Sequence, residues 1–292
     1  MSLKNADKFG IIDIGSNTIR GVLYSGGENP AALDTITFQS NILESTLENK
    51  LTAEGIFNLS ESISEIKKGF GVCEYIFAFA TSAMRDVANF DEVFEKVKKR
   101  TGVKIELISG ELEAEYDYLA IRGISDKKSG IGVDLGGGSA QVVVFDENGV
   151  KESLSMPIGV KRVRNMFCKD IVPTDDEIIK IEKYIEKQIS PIKGSCDVIW
   201  FMGGTAKAVS KAAKKLLGKD EVTPDVIDGL YDITAGNIPL LMNIFKKRYD
   251  TMPVGFVVMK SICKNLGGKK IKVTEVGVRD GYVLKHMEDE ND

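Results

Sequence analysis

One pattern occurs twice in this chain. Residues 10–24 read GIIDIGSNTIRGVLY, and residues 130–145 read GIGVDLGGGSAQVVVF. Each is an apolar strand ending near an aspartate, then a short glycine turn, then a second apolar strand. Superposing Asp13 on Asp134, 121 positions further on, pairs Gly15 with Gly136. Glycine suits such turns because it accepts positive φ and lets another group approach the backbone. A supersecondary unit repeated at this distance predicts two similarly built domains, placed at residues 1–124 and 125–292.

After each hairpin the chain alternates strands and helices. In the first half, LTAEGIFNLSESISEIKKGF carries Ile56, Leu59, Ile63 and Ile66 at helical spacing. The strand YIFAFA (75–80) follows. NFDEVFEKVKKR then sets Asn89 and Glu92 at capping-box positions, with Phe90, Val93, Phe94 and Val97 on one face. VKIELI (103–108) reads as another strand. In the second half, PTDDEIIKIEKYIEKQI repeats the logic, with Thr174 and Glu177 as the capping pair. The strand DVIWFM (197–202) precedes one helix over GGTAKAVSKAAKKLL, and KIKVTEVGVRDGYVLKHM reads as a strand and a helical tail. This alternation predicts α/β layers.

Composition removes several function classes. A hydrophobic content of 43% with 28% charged residues is that of a soluble globular protein. A net charge of −4 argues against a dedicated nucleic-acid or membrane-surface protein, while leaving room for a local basic groove. Cys73, Cys168, Cys196 and Cys263 form no close pair, so they read as reduced, mostly buried small hydrophobes. No apolar run approaches the length of a membrane span, and the N-terminal stretch meets Asp13 before a signal peptide could form. A cytoplasmic location is expected. The lone histidine, His286, sits in a charged tail and is expected in solvent. Its isolation excludes a Ser-His-Asp triad, so hydrolytic chemistry would rest on carboxylates, a hard cation, or both.

Four loops follow strands and are rich in small or charged residues: DIGSNT (13–18), ATSAMRD (80–86), DLGGGSA (134–140) and MGGTA (202–206). In open α/β sheets, ligands bind beyond the carboxyl ends of strands. Glycine turns with Ser or Thr offer amides and hydroxyls to phosphate oxygens. Neither a Walker A pattern nor a GxGxxG fingerprint is present. Asp13 and Asp134 could hold Mg²⁺ through water. Glu111, Glu113 and Glu115 alternate near the start of a helix, where acids favour the dipole. One of them aimed at substrate could orient and deprotonate water. Lys161, Arg162, Arg164, Lys207, Lys211, Arg248 and the GGKKIK segment are cations available to a polyanion.

In chain order, DIGSNT, ATSAMRD, ISGELEAEYDYLAI, VDLGGGSAQ, MPIGVKR, GGTAKAV and VTEVGVRDG resemble the motifs of the exopolyphosphatase / guanosine pentaphosphate phosphohydrolase family, within the actin-like ATPase superfamily. The resemblance spans nearly the whole chain and is to the short, two-domain members. It implies an α/β fold of two tandem ribonuclease-H-like (actin-like ATPase) domains with an interdomain cleft. It also implies removal of a terminal phosphate from inorganic polyphosphate or guanosine pentaphosphate, with Mg²⁺ (or Mn²⁺). By position, Glu113 matches the family's catalytic base, and Asp13 and Asp134 the metal-binding aspartates. Arg85 matches the arginine facing phosphate. Gly15, Ser16 and Asn17 match the first phosphate loop, Gly136, Gly137, Gly138 and Ser139 the second, and Gly203, Gly204 and Thr205 the third. Arg162 matches a further phosphate-side arginine.

The chain departs from that pattern. The second loop reads GGGSAQ where the family writes GGGSTE. Gln141 therefore stands at the site of a glutamate implicated in metal binding or catalysis, and it supplies neither negative charge nor a base. Glu115 replaces a usual arginine. Two rival readings follow: a catalytically weakened sensor of polyphosphate or guanosine polyphosphates, and a small-molecule kinase of the same superfamily. No nucleic-acid or membrane partner is expected. A homodimer is expected on base rates.

Overall fold

The structure, a computed structural model, describes residues 3–124 and 129–289. It divides into two units. One takes the chain up to Glu113 together with Arg279 onward, and the other takes Ala114–Val278. This differs from the expected boundary at 124/125, which adjoins residues outside the described set. Most of the helix at 110–124 goes with the second unit: Tyr118 packs on Phe145 with ring centroids 5.5 Å apart. The last helix returns to the first unit, where Tyr282 stacks on Phe79 at 5.1 Å.

The first unit is built from β1 (Lys8–Ile14), β2 (Thr18–Ser25) and β3 (Ala32–Gln39), then a small hairpin of β4 (Thr46–Leu47) and β5 (Lys50–Leu51). There follow α1 (Ala53–Phe70), β6 (Tyr75–Ala80), α2 (Ser82–Arg85), α3 (Phe90–Thr101), β7 (Ile105–Leu107) and the start of α4 (Gly110–Ile124). Its sheet runs β3-β2-β1-β6-β7. Strands β1, β2 and β3 are antiparallel, while β6 and β7 are parallel to β1.

The second unit repeats this order. It contains β8 (Gly130–Leu135), β9 (Ala140–Asp146), β10 (Gly149–Met156), α5 (Val160–Phe167), α6 (Asp175–Ile189), β11 (Val198–Met202), α7 (Gly203–Ala212), α8 (Pro224–Ala235), α9 (Ile238–Phe245), α10 (Met252–Asn265) and β12 (Lys270–Val273). Its sheet runs β10-β9-β8-β11-β12. The final helix is α11 (Val278–Asp289). The expected pair of ribonuclease-H-like α/β units is present.

The repeat holds at the level of single atoms. Gly15 N donates to Thr18 O at 3.0 Å, and Gly136 N donates to Ser139 O at 3.0 Å. Asp13 registers opposite Arg20, and Asp134 opposite Gln141. The four glycines at 15 and 136–138 all have negative φ, so positive φ is not their reason for being glycine.

The helices follow their apolar stripes. Ile56, Leu59, Ile63 and Ile66 of α1 are buried, as are Val93 and Val97 of α3, while Phe90 and Phe94 meet edge-on at the rim. Residues 203–217 are not one α-helix, because α7 gives way to a π-helical turn at Ala213–Leu217. His286 is half-buried rather than in solvent. Spacing of i, i+4 on α11 stacks it over Tyr282, centroids 4.1 Å apart, and beside Phe77. Of the four free cysteines only Cys263 is buried; the other three are half-buried.

The two expected capping boxes diverge. Thr174 and Glu177 form one, Glu177 accepting from Thr174 N at 2.9 Å and Thr174 Oγ1 from Glu177 N at 3.3 Å. Asn89 instead accepts from Leu51 N at 2.9 Å and donates to Leu51 O at 3.2 Å, tying β5 to the start of α3. Thr174→Ala should lower stability by about 1 kcal/mol through the lost cap. Asn89→Ala should lower it by about 2 kcal/mol, because it strands both polar backbone groups of buried Leu51. Denaturation midpoints of the two variants check the order.

Candidate active site

In the first unit, parallel pairing sets the site. Ile14 registers with Ala80, and Ala80 with Leu107, so β1, β6 and β7 end side by side and their following loops meet. Thr81 N donates to Ile14 O at 3.2 Å, and Ile108 N to Ala80 O at 3.1 Å. Ser16, almost fully buried, shares a 3.1 Å hydrogen bond between hydroxyls with Ser82 at the start of α2. Asn17 O accepts from Ser40 N at 3.1 Å.

Arg85 closes this cluster. One Nη donates to Ile108 O at 3.0 Å, and the other to Glu113 Oε2 at 2.9 Å. The Glu113 side chain is only 7% exposed and that of Arg85 21%. The three alternating glutamates separate by environment. Glu111 is exposed, and its pKa is lowered by its own backbone amide and by Ser109, which makes it a helix-start acid. Glu115 is half-buried. Glu113 alone joins a buried acid to an arginine. One turn on, Asp117 is 1% exposed, a carboxylate that the motif comparison did not single out.

Asp13 takes a different partner from the one expected. Arg279 Nη1, at the start of α11, donates to Asp13 Oδ2 at 2.6 Å, and both side chains are about 15% exposed. Burial opposes the charge on Arg279, but Asp13, Tyr24 and Asp280 outweigh it and its pKa is raised. Tyr24 beside this group is pushed up to about 12, by burial first and then by Asp280. A side-chain cation thus stands where a metal was expected at Asp13. Arg279 lies in the quoted VTEVGVRDG motif, yet nothing in its spacing tied it to a strand 266 positions away.

In the second unit the glycine loop is gripped from behind. At the start of α5, Val160 N donates to Gly136 O at 3.1 Å, and Lys161 N and Arg162 N to Gly137 O at 2.9 and 3.0 Å. Arg162 Nε donates to Gly138 O at 2.7 Å. Arg162, expected on phosphate, therefore holds the loop itself through this nitrogen. A Cβ on Gly159 would collide with the loop backbone at 137–139, so only glycine allows this docking. With the carbonyls engaged, the amides of 137–139 are the groups left to meet an anion.

Ser139 and Gln141 lie under that loop. Gln141 is 2% exposed, and its Nε2 donates to Ser139 Oγ at 2.8 Å and to Ser155 Oγ at 2.9 Å. The β11–α7 junction completes the set. Gly203 has φ of 91°, and a Cβ there would meet Leu135 O at 2.6 Å and Asp134 Oδ1 at 2.7 Å. Arg248 lies directly over Gly204. Thr205, expected on phosphate, is instead buried with its methyl against Gly255 of α10.

Among the described residues, no group of three or more His, Cys, Asp or Glu could hold a metal by itself. Asp134, half-exposed at a strand end, fits an ion that takes one carboxylate plus substrate oxygens. At Asp13, Oδ2 is held by Arg279.

Two five-stranded units of the same order are the architecture of the actin-like ATPase superfamily. A Ppx/GppA family member from Aquifex aeolicus has this fold, with a TM-score of 0.80 at 24% identity, covering 98% of this chain and 99% of that one. So does an exopolyphosphatase from Cytophaga hutchinsonii ATCC 33406, with a TM-score of 0.85 at 17% identity, covering 97% and 98%. The chain belongs to the Ppx/GppA phosphatase family, whose model matches residues 37–290. Exopolyphosphatase 1 of Mycobacterium leprae (strain TN) is 25% identical over 313 residues, covering 98% of this chain and 91% of that protein.

Arg279→Met should destabilise the protein by about 3 kcal/mol, because it leaves a buried aspartate uncompensated. Adding Asp13→Asn should recover most of that loss. Thermal unfolding of the single and double variants reads it, and equal loss in both would mean Arg279 acts through packing alone.

Proposed function

We propose that this chain hydrolyses the terminal phosphoric anhydride of a phosphate chain, either inorganic polyphosphate or guanosine pentaphosphate. Family membership supports the reaction class. The observation that carries the reading is the buried Glu113–Arg85 pair at the meeting point of three strand-end loops. Glu113 is the general base. It accepts a proton from water as the water oxygen attacks the terminal phosphorus, and the bond to the bridging oxygen breaks with its electrons passing to the leaving phosphate chain. A guanidinium has five N–H donors, so Arg85 retains some for phosphate oxygens after holding Ile108 and Glu113. Loop amides at 137–139 bind the same kind of oxygen. Ser139 Oγ accepts from Gln141, which leaves the Ser139 hydroxyl hydrogen free to donate onward to a phosphate.

Magnesium or manganese fits at Asp134. When bound, it neutralises charge on the phosphate oxygens, which is the main demand of phosphoryl transfer. The sensor reading has one observation in its favour: the buried, neutral Gln141 beneath the loop. Tight polyphosphate binding without phosphate release by the wild-type protein would select it.

Glu113→Gln should reduce phosphate release from polyphosphate about 100-fold or more, while changing affinity only a few-fold. A malachite-green assay paired with calorimetric titration measures both, and undiminished turnover would remove Glu113 from the role. Gln141→Glu should lower the melting temperature in chelator by burying an unpaired charge, and regain it on adding Mg²⁺. Scanning fluorimetry with and without the ion tests this.

A further inference from the structure

The two five-stranded sheets present four edges, and three of them are closed to another strand. Strand β7 is only three residues long. Strand β12 has four residues, and its Ile271 N already donates to Val222 O at 2.9 Å. Strand β10 carries a bulge between Val150 and Glu152. There Lys151 pairs with Asp146 at 3.1 Å, and Glu152 Oε2 accepts from Lys193 N at 2.8 Å. Short length, bulges and charges are the devices that keep a sheet edge from templating a second chain.

The fourth edge, β3, is the exception. Its eight residues, ALDTITFQ, include no Lys, Arg, Gly or Pro, and Asp34 is its one charge. A single bulge falls at Leu33, and from Asp34 to Gln39 the register with β2 is unbroken. Ile36 and Phe38 are half-buried against the core of the first unit, while the other six residues are exposed. Two hydrogen bonds fix which backbone groups face outward. Ser40 N donates to Asn17 O at 3.1 Å, on the β2 side, so even positions face β2 and odd positions face away. Thr35 N agrees, because it donates to Asp34 Oδ1 at 2.7 Å and not to β2. The amides of Thr37 and Gln39 donate to no described residue. Thr35, Thr37 and Gln39 thus hold an outward row of three N–H and three C=O groups.

We propose that this edge pairs with β3 of a second copy of the chain, antiparallel about a two-fold axis through Thr37. A second copy is the occupant because the strand is complementary to itself in that register. Thr37 lies opposite Thr37, Thr35 opposite Gln39, Ile36 opposite Phe38 and Asp34 opposite Ser40. All six outward groups then find partners, and the Thr35 amide exchanges its carboxylate for the Gln39 carbonyl of the other copy. Threonine pairs and apolar pairs stabilise facing strands. The single charge meets a neutral residue, so no like charges oppose one another. Other registers fit less well. An axis between two residues sets outward groups against inward ones. An axis at Ile36 sets Gln39 against the bulge at Leu33, and one at Phe38 sets Thr35 beyond the strand end. Pairing joins the two five-stranded sheets into one of ten strands, with the same surface used by both copies.

Sedimentation velocity over a concentration series tests the proposal. The wild-type protein should pass from the mass of one chain to that of two as concentration rises. T35K/Q39K sets lysine against lysine twice across the axis and should weaken the dimer about tenfold or more. T35K/Q39E sets lysine against glutamate at the same two places and should dimerise at least as well as the wild type. Both positions are exposed, so melting temperatures of dilute samples should match and show that the fold is kept. A wild-type chain that stays single at every concentration overturns the proposal. A dimer indifferent to T35K/Q39K uses another face and overturns it equally. Failure of T35K/Q39E to regain a dimer lost in T35K/Q39K rejects the two-fold register, and the proposal with it.

Discussion

A loop can offer its amides to an anion only if its carbonyls are held elsewhere, and in this protein that condition is met by docking the start of α5 behind the second glycine loop. Three backbone amides and one guanidinium nitrogen take the carbonyls of Gly136, Gly137 and Gly138. The first amides of a helix have no partner within it, so the loop satisfies α5 as α5 orients the loop. Gly159 is the hinge of this arrangement, because any side chain there would separate the two. The same docking engages Arg162, expected on phosphate, through its Nε, while Thr205 is buried against Gly255 of α10. Arg162 thus supports the loop through one of its donors, and Thr205 supports it by packing.

The two halves share a hairpin but not its charges. The Asp13 carboxylate meets Arg279 at 2.6 Å, and Glu113 meets Arg85 at 2.9 Å, so the acids of the first unit are compensated by arginines. In the second unit, Asp134 lies beside the backbone of Gly203, and the residue registered opposite it is neutral Gln141 where the first unit has Arg20. A duplicated framework has thus diverged: the register partner of the strand-end aspartate is a cation in one copy and a neutral amide in the other.

Much of the architecture was legible because its signals are local. The 121-position repeat, the strand-end glycine turns, the stripe on α1 and the Thr174–Glu177 box all act within a few residues, and each is present. What was missed depends on distance in sequence. Arg279 reaches Asp13 across nearly the whole chain, and Asn89 has the composition of a cap but serves Leu51, 38 positions earlier. Helix α10 escaped for another reason. Only Lys260, Lys264 and Asn265 on it are not buried, so it shows no apolar stripe to be read against a polar one. The capping signal at Asn89 was read correctly as polar and wrongly as helical, because a carboxamide can satisfy a strand as readily as a helix start.

Charge placement links the catalytic reading to the substrate. A net charge of −4 would repel a polyanion unless positive charge were gathered where it binds. Some acids are paired with nearby cations at the surface, as at Lys269–Asp197 and Lys270–Glu221, which removes both signs from the long-range field there. Cations lacking such partners then dominate their surroundings even in an acidic chain. Lys211, Lys215 and Arg248 are of this kind, and all three stand on or against the element that opens with the third glycine loop.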